Sequence, residues 1–190
     1  MPNATDQAKK IFQREGGLLY TTQAIQFGIA PRTLYAMRDA GDVEQVSRGL
    51  YRLASLPPLS QPDLVTVSLR IPRGVICLIS ALAFHDLTSQ VPHAVYVALP
   101  LAAEKPRLDY PPLRLFWLSE KIYAAGIEQH PVDNTPVKIY SPEKTVVDCF
   151  KFRSKVGMEV ALDALKRGLE SKRCHLPQLL RFAKLCRVEG

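Results

Sequence analysis

Residues 20–53 read YTTQAIQFGIAPRTLYAMRDAGDVEQVSRGLYRL, and this stretch decides the fold of the first third of the chain. Thr21 or Thr22 caps a helix running to about Phe27. Gly28 ends it, and Pro31 opens the next helix at the position where a missing N–H costs nothing. Gly41 closes that helix. A helix-turn-helix needs a small residue where its helices cross, a glycine for the left-handed turn and an apolar anchor on the second helix. Ala24, Gly28 and Leu34 supply all three, at spacings of four and six. Val43 and Val46, then Leu50, Tyr51 and Leu53, flank Arg48-Gly49 as two short strands joined by a tight turn. Upstream, Ala8, Ile11 and Phe12 give an amphipathic helix over residues 6–14 that Gly16-Gly17 stops. Three helices followed by a hairpin predict a winged helix-turn-helix.

Such a fold presents its recognition helix, residues 31–40, to the major groove of double-stranded DNA. Leu34 and Met37 face inward by their spacing, which turns Arg32, Thr33, Tyr35, Ala36 and Arg38 outward. An arginine there can fork onto guanine, and threonine or tyrosine can reach phosphates or a thymine methyl. Arg48 at the tip of the wing and Arg52 beyond it are placed to meet backbone or minor groove. Against this, Asp39, Asp42 and Glu44 lie close to the same face and repel phosphates, and small winged helices also serve protein contacts.

The ten residues 54–63, ASLPPLSQPD, hold three prolines and cannot continue a helix or a central strand, so they read as a connector. This divides the chain into a winged-helix domain over 1–56 and a second domain over 62–190. The second domain opens with a helix near 64–71. A short helix capped by Ser80 follows, then strands near 94–99, 113–118, 126–130 and 137–140. Ser141-Pro142-Glu143 caps a helix with Val146, Val147 and Phe150 on its apolar stripe. Another helix spans 158–170, and a last one begins at Pro177. The predicted class is α/β (α+β): a winged helix-turn-helix, then a mixed α/β domain with a helical end. Trp117, between Phe116 and Leu118, reads as sheet core.

Of the 190 residues, 47% are hydrophobic, enough for a real core. The longest apolar run, residues 75–84, is too short to span a bilayer, and the N-terminus carries no secretory pattern, so a cytoplasmic location is expected. The four cysteines show no metal-ligand spacing, so neither a metal nor any other cofactor is expected. Twenty-five basic against eighteen acidic residues give a net charge of +7, which suits a polyanionic partner. That charge is concentrated in the last third: Lys151, Arg153, Lys155, Lys166, Arg167, Lys172 and Arg173, then Arg181, Lys184 and Arg187. These side chains form either a basic surface across neighbouring helices or solvated helix faces with carboxylates one turn away, such as Asp163 beside Arg167.

Signs of catalysis are weak. His85, His93, His130 and His175 stand in unrelated sequence contexts, no serine or cysteine sits on a strand-to-helix elbow, and no phosphate-cradling glycine loop occurs. Asp63, Glu170 and Lys172 have the residue types of a nuclease metal site, but Glu170 and Lys172 fall two apart at a helix end. Asp148 is placed as the partner of a nearby cation.

The run Tyr20-Thr21-Thr22, Gly28-Ile29-Ala30-Pro31-Arg32-Thr33-Leu34, Ala40-Gly41-Asp42-Val43 and Val46-Ser47-Arg48-Gly49-Leu50-Tyr51 resembles the N-terminal domain of the AbiEi antitoxins of type IV toxin–antitoxin systems. Residues 80–88, SALAFHDLT, and 141–148, SPEKTVVD, are similar to two blocks of that family's C-terminal domain, so the resemblance runs from about residue 6 to 186. It implies a non-enzymatic repressor of its own operon that binds operator repeats through the winged helix. It also implies an antitoxin that counteracts a nucleotidyltransferase-like toxin without needing to touch it. The residues leave two alternatives open: a ligand-sensing transcription factor and a DNA-targeted nuclease.

Overall fold

The computed structural model describes residues 3–188, and the chain divides into two compact units that meet in sequence at Pro62 and Asp63. In the first, α1 (Ala4–Arg14), β1 (Leu18–Tyr20), α2 (Thr21–Gln26), α3 (Pro31–Asp39), β2 (Val43–Ser47) and β3 (Leu50–Leu53) form a winged helix-turn-helix. Gly28, at φ +90°, makes the turn between α2 and α3 in a conformation that would strain any side chain larger than glycine's. Ala24 is fully buried where the helices cross, and Leu34 and Met37 pack beneath α3 with Phe12, Ile29 and Val43. Burying side chains of this size contributes about 1.5–3 kcal/mol each.

The strand β1 is a feature that periodicity does not reveal, because three residues are too few to show one. It pairs antiparallel with β3, giving the sheet order β1-β3-β2. The Thr21 backbone N–H donates to the Gly49 carbonyl at 2.9 Å, tying the wing turn to the start of α2. Gly49 itself takes φ +73°, as the turn after Arg48 requires.

The second unit begins with α4 (Pro62–Arg70), followed by β4 (Val75–Ile76), α5 (Leu78–Phe84), β5 (Val95–Pro100), β6 (Leu113–Leu118), α6 (Glu120–Tyr123), β7 (Ile127–Val132) and β8 (Thr135–Tyr140). Helices α7 (Pro142–Lys151), α8 (Arg153–Val156), α9 (Met158–Glu170) and α10 (Leu176–Cys186) complete it. Its mixed sheet has the order β6-β5-β4-β8-β7, with β4 parallel to β8 and antiparallel to β5. Helix α7 contacts α5, α9 and α10, and Val146, Val147 and Cys149 carry its apolar stripe into the core. The Ser141 hydroxyl caps α7 by accepting from the Lys144 backbone N–H at 3.3 Å.

Three expectations change. Ser80 is not a cap. It lies inside α5, buried, where its hydroxyl accepts from the Tyr96 N–H at 3.0 Å and bridges to the Ala94 carbonyl at 3.4 Å, so it joins the helix to the start of β5. The central strand β4 is only two residues long and sits inside what reads as one apolar run. Trp117 is 37% exposed, its indole N–H donating to the Ala103 carbonyl. The two-residue period on the edge strand β6 turns Phe116 toward Tyr96 and Phe152, and so turns its neighbour away.

Candidate nucleic-acid interface

Because Leu34 and Met37 hold one side of α3 in the core, the other side is set in solvent: Arg32, Tyr35, Ala36 and Arg38 are exposed, and Thr33 is half-buried. Arg32 stands in the first turn of α3, the end that a recognition helix points at base edges. Arg38, nearly two turns further on, lies over the Tyr35 ring at 5.4 Å, and its Nε and Nη2 donate to the Asp39 carboxylate at 2.9 and 2.7 Å. Arg38 and Tyr35 therefore form a braced surface, while Asp39 offsets the arginine's charge.

The wing places Arg48 in the exposed turn between β2 and β3. Arg52 does not reach the surface. It is 5% exposed, with Nη1 donating to Glu44 at 2.8 Å and Nη2 to the Pro57 carbonyl. Strand β3 is buried at every position and is the central strand of its sheet, between β2 and β1, the element hidden from the sequence. The acidic residues flanking the interface are each paired: Asp39 with Arg38, Asp42 with Lys9 at 2.7 Å and Glu44 with Arg52. Their repulsion of phosphate is correspondingly reduced.

In the second unit several of the basic residues are paired with carboxylates. Arg167 pairs with Asp163 at 2.7 Å, Lys166 approaches Glu170 at 4.0 Å, and Arg173 pairs with Asp86 at 3.0 Å. Arg153 donates to the Phe150 carbonyl, and Lys155 and Lys172 are exposed. Lys151 belongs to a different feature, an open cleft of about 730 Å³ that it lines with Lys121, Arg181, Lys184 and Arg187 and with no carboxylate among the described residues. Its Nζ donates to the Cys186 carbonyl at 3.1 Å, at the floor of that cleft. Lys121 comes from α6, far from the others in sequence, and only packing reveals that it joins them.

Two polar clusters lie beneath the surface. Lys144 and Asp148, one turn apart on α7, are both fully buried and hydrogen-bonded to each other. The ammonium lies 4.2 Å from the centre of the Tyr140 ring, and the Cys186 thiol is 3.7 Å from the carboxylate. Burial pushes the Asp148 carboxyl up, and the Lys144 ammonium opposes that rise. Asp148 thus has a cation, supplied by its own helix. The second cluster corrects the reading of the histidines as unrelated: His85 and His130 face each other, ring centres 5.7 Å apart, with Glu128 beside them. Asp63 lies in α4, and Glu170 ends α9 beside Lys166.

Residues 6–54, which run from within α1 to just past β3, match the family described as the AbiEi antitoxin transcriptional regulators. The whole chain is also similar in fold to a solved structure, the RV2827C protein from Mycobacterium tuberculosis. That match has a TM-score of 0.63 and 16% identity, covering 97% of this chain and 72% of that one. At that identity the likeness concerns the fold alone. No curated protein sequence matches the chain. The AbiEi match coincides with the unit whose α3 presents Arg32 and Tyr35. No helix among the described residues is long and apolar enough to cross a membrane.

Proposed function

We propose that this protein represses its own operon by reading operator repeats in double-stranded DNA through α3. In the same proposal it acts in the cytoplasm as the antitoxin to a nucleotidyltransferase-like toxin, with no catalysis of its own. The observation that carries this reading is the exposed face of α3, where Arg32 and Tyr35 project from a helix anchored by Leu34 and Met37 within the AbiEi-matched residues. Arg32 reads a base, Thr33 and the braced Arg38–Tyr35 pair position the helix on the backbone, and Arg48 contacts phosphate from the wing. Arg52 acts from inside, holding β3 to β2 and to the segment that leaves the domain. In the second unit, the cleft of Lys121, Lys151, Arg181, Lys184 and Arg187 attracts polyanions. Arg153, Lys155 and Lys172 add exposed charge, while Lys166, Arg167 and Arg173 are offset by their carboxylate partners.

The test is a fluorescence-anisotropy titration against the operon's own upstream DNA and a scrambled duplex over a salt series. Arg32→Ala is expected to weaken the upstream complex by roughly 1–3 kcal/mol and to leave the scrambled one almost unchanged. Equal, steeply salt-dependent binding to both duplexes, indifferent to Arg32, would remove α3 as the reader.

A further inference from the structure

His85 caps the C-terminal end of α5, and Glu128 and His130 stand two residues apart on β7, hence on one side of the strand. One ring nitrogen of each histidine and one Glu128 carboxylate oxygen all lie within 4.8 Å of one another. The Nε2 of His85 is 2.8 Å from the Tyr140 carbonyl, which only accepts, so Nε2 carries the proton and Nδ1 keeps its lone pair. A histidine bound this way is oriented as metal-ligating histidines are, with its second nitrogen donating to a backbone carbonyl. His130 Nε2 meets Glu128 Oε2 at 2.9 Å, the kind of contact in which a cation can replace a shared proton.

We propose that His85, Glu128 and His130 hold a zinc ion, with water at the fourth position. Two imidazoles and one carboxylate make a donor set suited to zinc, and a tetrahedral ion with ligands at about 2.1 Å needs them about 3.4 Å apart. The half-exposed Glu128 and His130 side chains close that gap by rotation, while the buried His85 is held in place. Phe84, edge-on to both imidazoles at 5.3 and 4.9 Å, shields one side of the site. Arg173, whose charge acts on His85, is paired with Asp86 at 3.0 Å. Strand β7 is an edge strand paired only with β8, so the ion clips this edge to the end of α5.

The experiment titrates ZnCl2 into the chelator-treated full-length chain by calorimetry and follows CoCl2 by visible absorption. The expected result is one ion per chain and a tetrahedral cobalt spectrum without a thiolate charge-transfer band, since all four cysteines lie elsewhere in the core. Glu128→Gln and His130→Ala are each expected to weaken binding by at least about tenfold while leaving the metal-free melting temperature unchanged. Zinc should raise the melting temperature of the parent chain alone. Absence of uptake, a thiolate band, or unaltered affinity in both variants would each overturn the proposal.

Discussion

Replacing Lys144 with methionine tests how the second unit tolerates a charge pair at its centre. The stem of Lys144 packs against Gly126, where an added Cβ would lie 2.8 Å from Lys144 Cβ, so methionine preserves the packing and removes only the ammonium. The carboxylate of Asp148 is then left buried with the Cys186 thiol as its remaining hydrogen-bond partner among those described and with the Lys151 charge nearby. Breaking a buried pair from one side costs about 3–5 kcal/mol, whereas replacing both partners by apolar groups is often close to neutral. For a unit of this size that cost lowers the melting temperature by roughly 10–20 °C. Lys144→Met with Asp148→Leu should restore most of it.

The pH dependence has a definite sign. With the ammonium gone, burial raises the folded-state pKa of Asp148 further above its unfolded value. The native state then binds the proton more tightly than the unfolded chain does. Its stability is greatest below the unfolded pKa and is lost as pH rises through the folded one. The penalty of Lys144→Met should therefore shrink on acidification. Urea melts of the parent, both single variants and the double variant at two pH values measure this. Single variants that each cost under about 1 kcal/mol and add without coupling would refute the reasoning.

Arg48→Ala should weaken all duplexes by a similar factor and lower the salt slope by about one, as anisotropy would show; a loss confined to one sequence would contradict a backbone role. Arg52→Ala removes a buried guanidinium that bonds Glu44 and the Pro57 carbonyl, so it should cost about 1–3 kcal/mol of stability in the first unit, measured by thermal melting. Any loss of DNA affinity in that variant should follow unfolding and recover on cooling. Arg181→Ala with Lys184→Ala should flatten the salt dependence for both specific and scrambled DNA while preserving their ratio, if the cleft meets phosphates.

The α2–α3 turn was legible because its chemistry is local. Gly28 takes the left-handed backbone, Pro31 sits where its lost N–H is harmless, and Leu34 and Met37 share a face by helical period alone. The helices α7 and α9 were legible for the same reason, through the Ser141 cap and regular apolar spacing. Short strands were not, since β1 and β4 hold three and two residues and acquire their identity from partners distant in sequence. Arg52 looked like a surface cation because its partners, Glu44 and the Pro57 carbonyl, are brought to it only by the folded sheet and the segment that follows.

By itself the sequence determined where the longer helices lie and which face of α3 meets solvent, because hydrogen bonds and side-chain spacing within a dozen residues suffice for both; the four-residue helices α6 and α8 left no such pattern. Only the tertiary structure decided which charged groups share a site. It brought Lys121 to Lys151 and Arg181, and His85 to Glu128 and His130, across gaps of thirty residues or more. Such encounters depend on the sheet order β6-β5-β4-β8-β7 and the helices laid against it, which no local spacing encodes. It also decided that Lys144 and Asp148 would be charges without water, since exposure is a property of the packed fold and not of any residue's immediate neighbours.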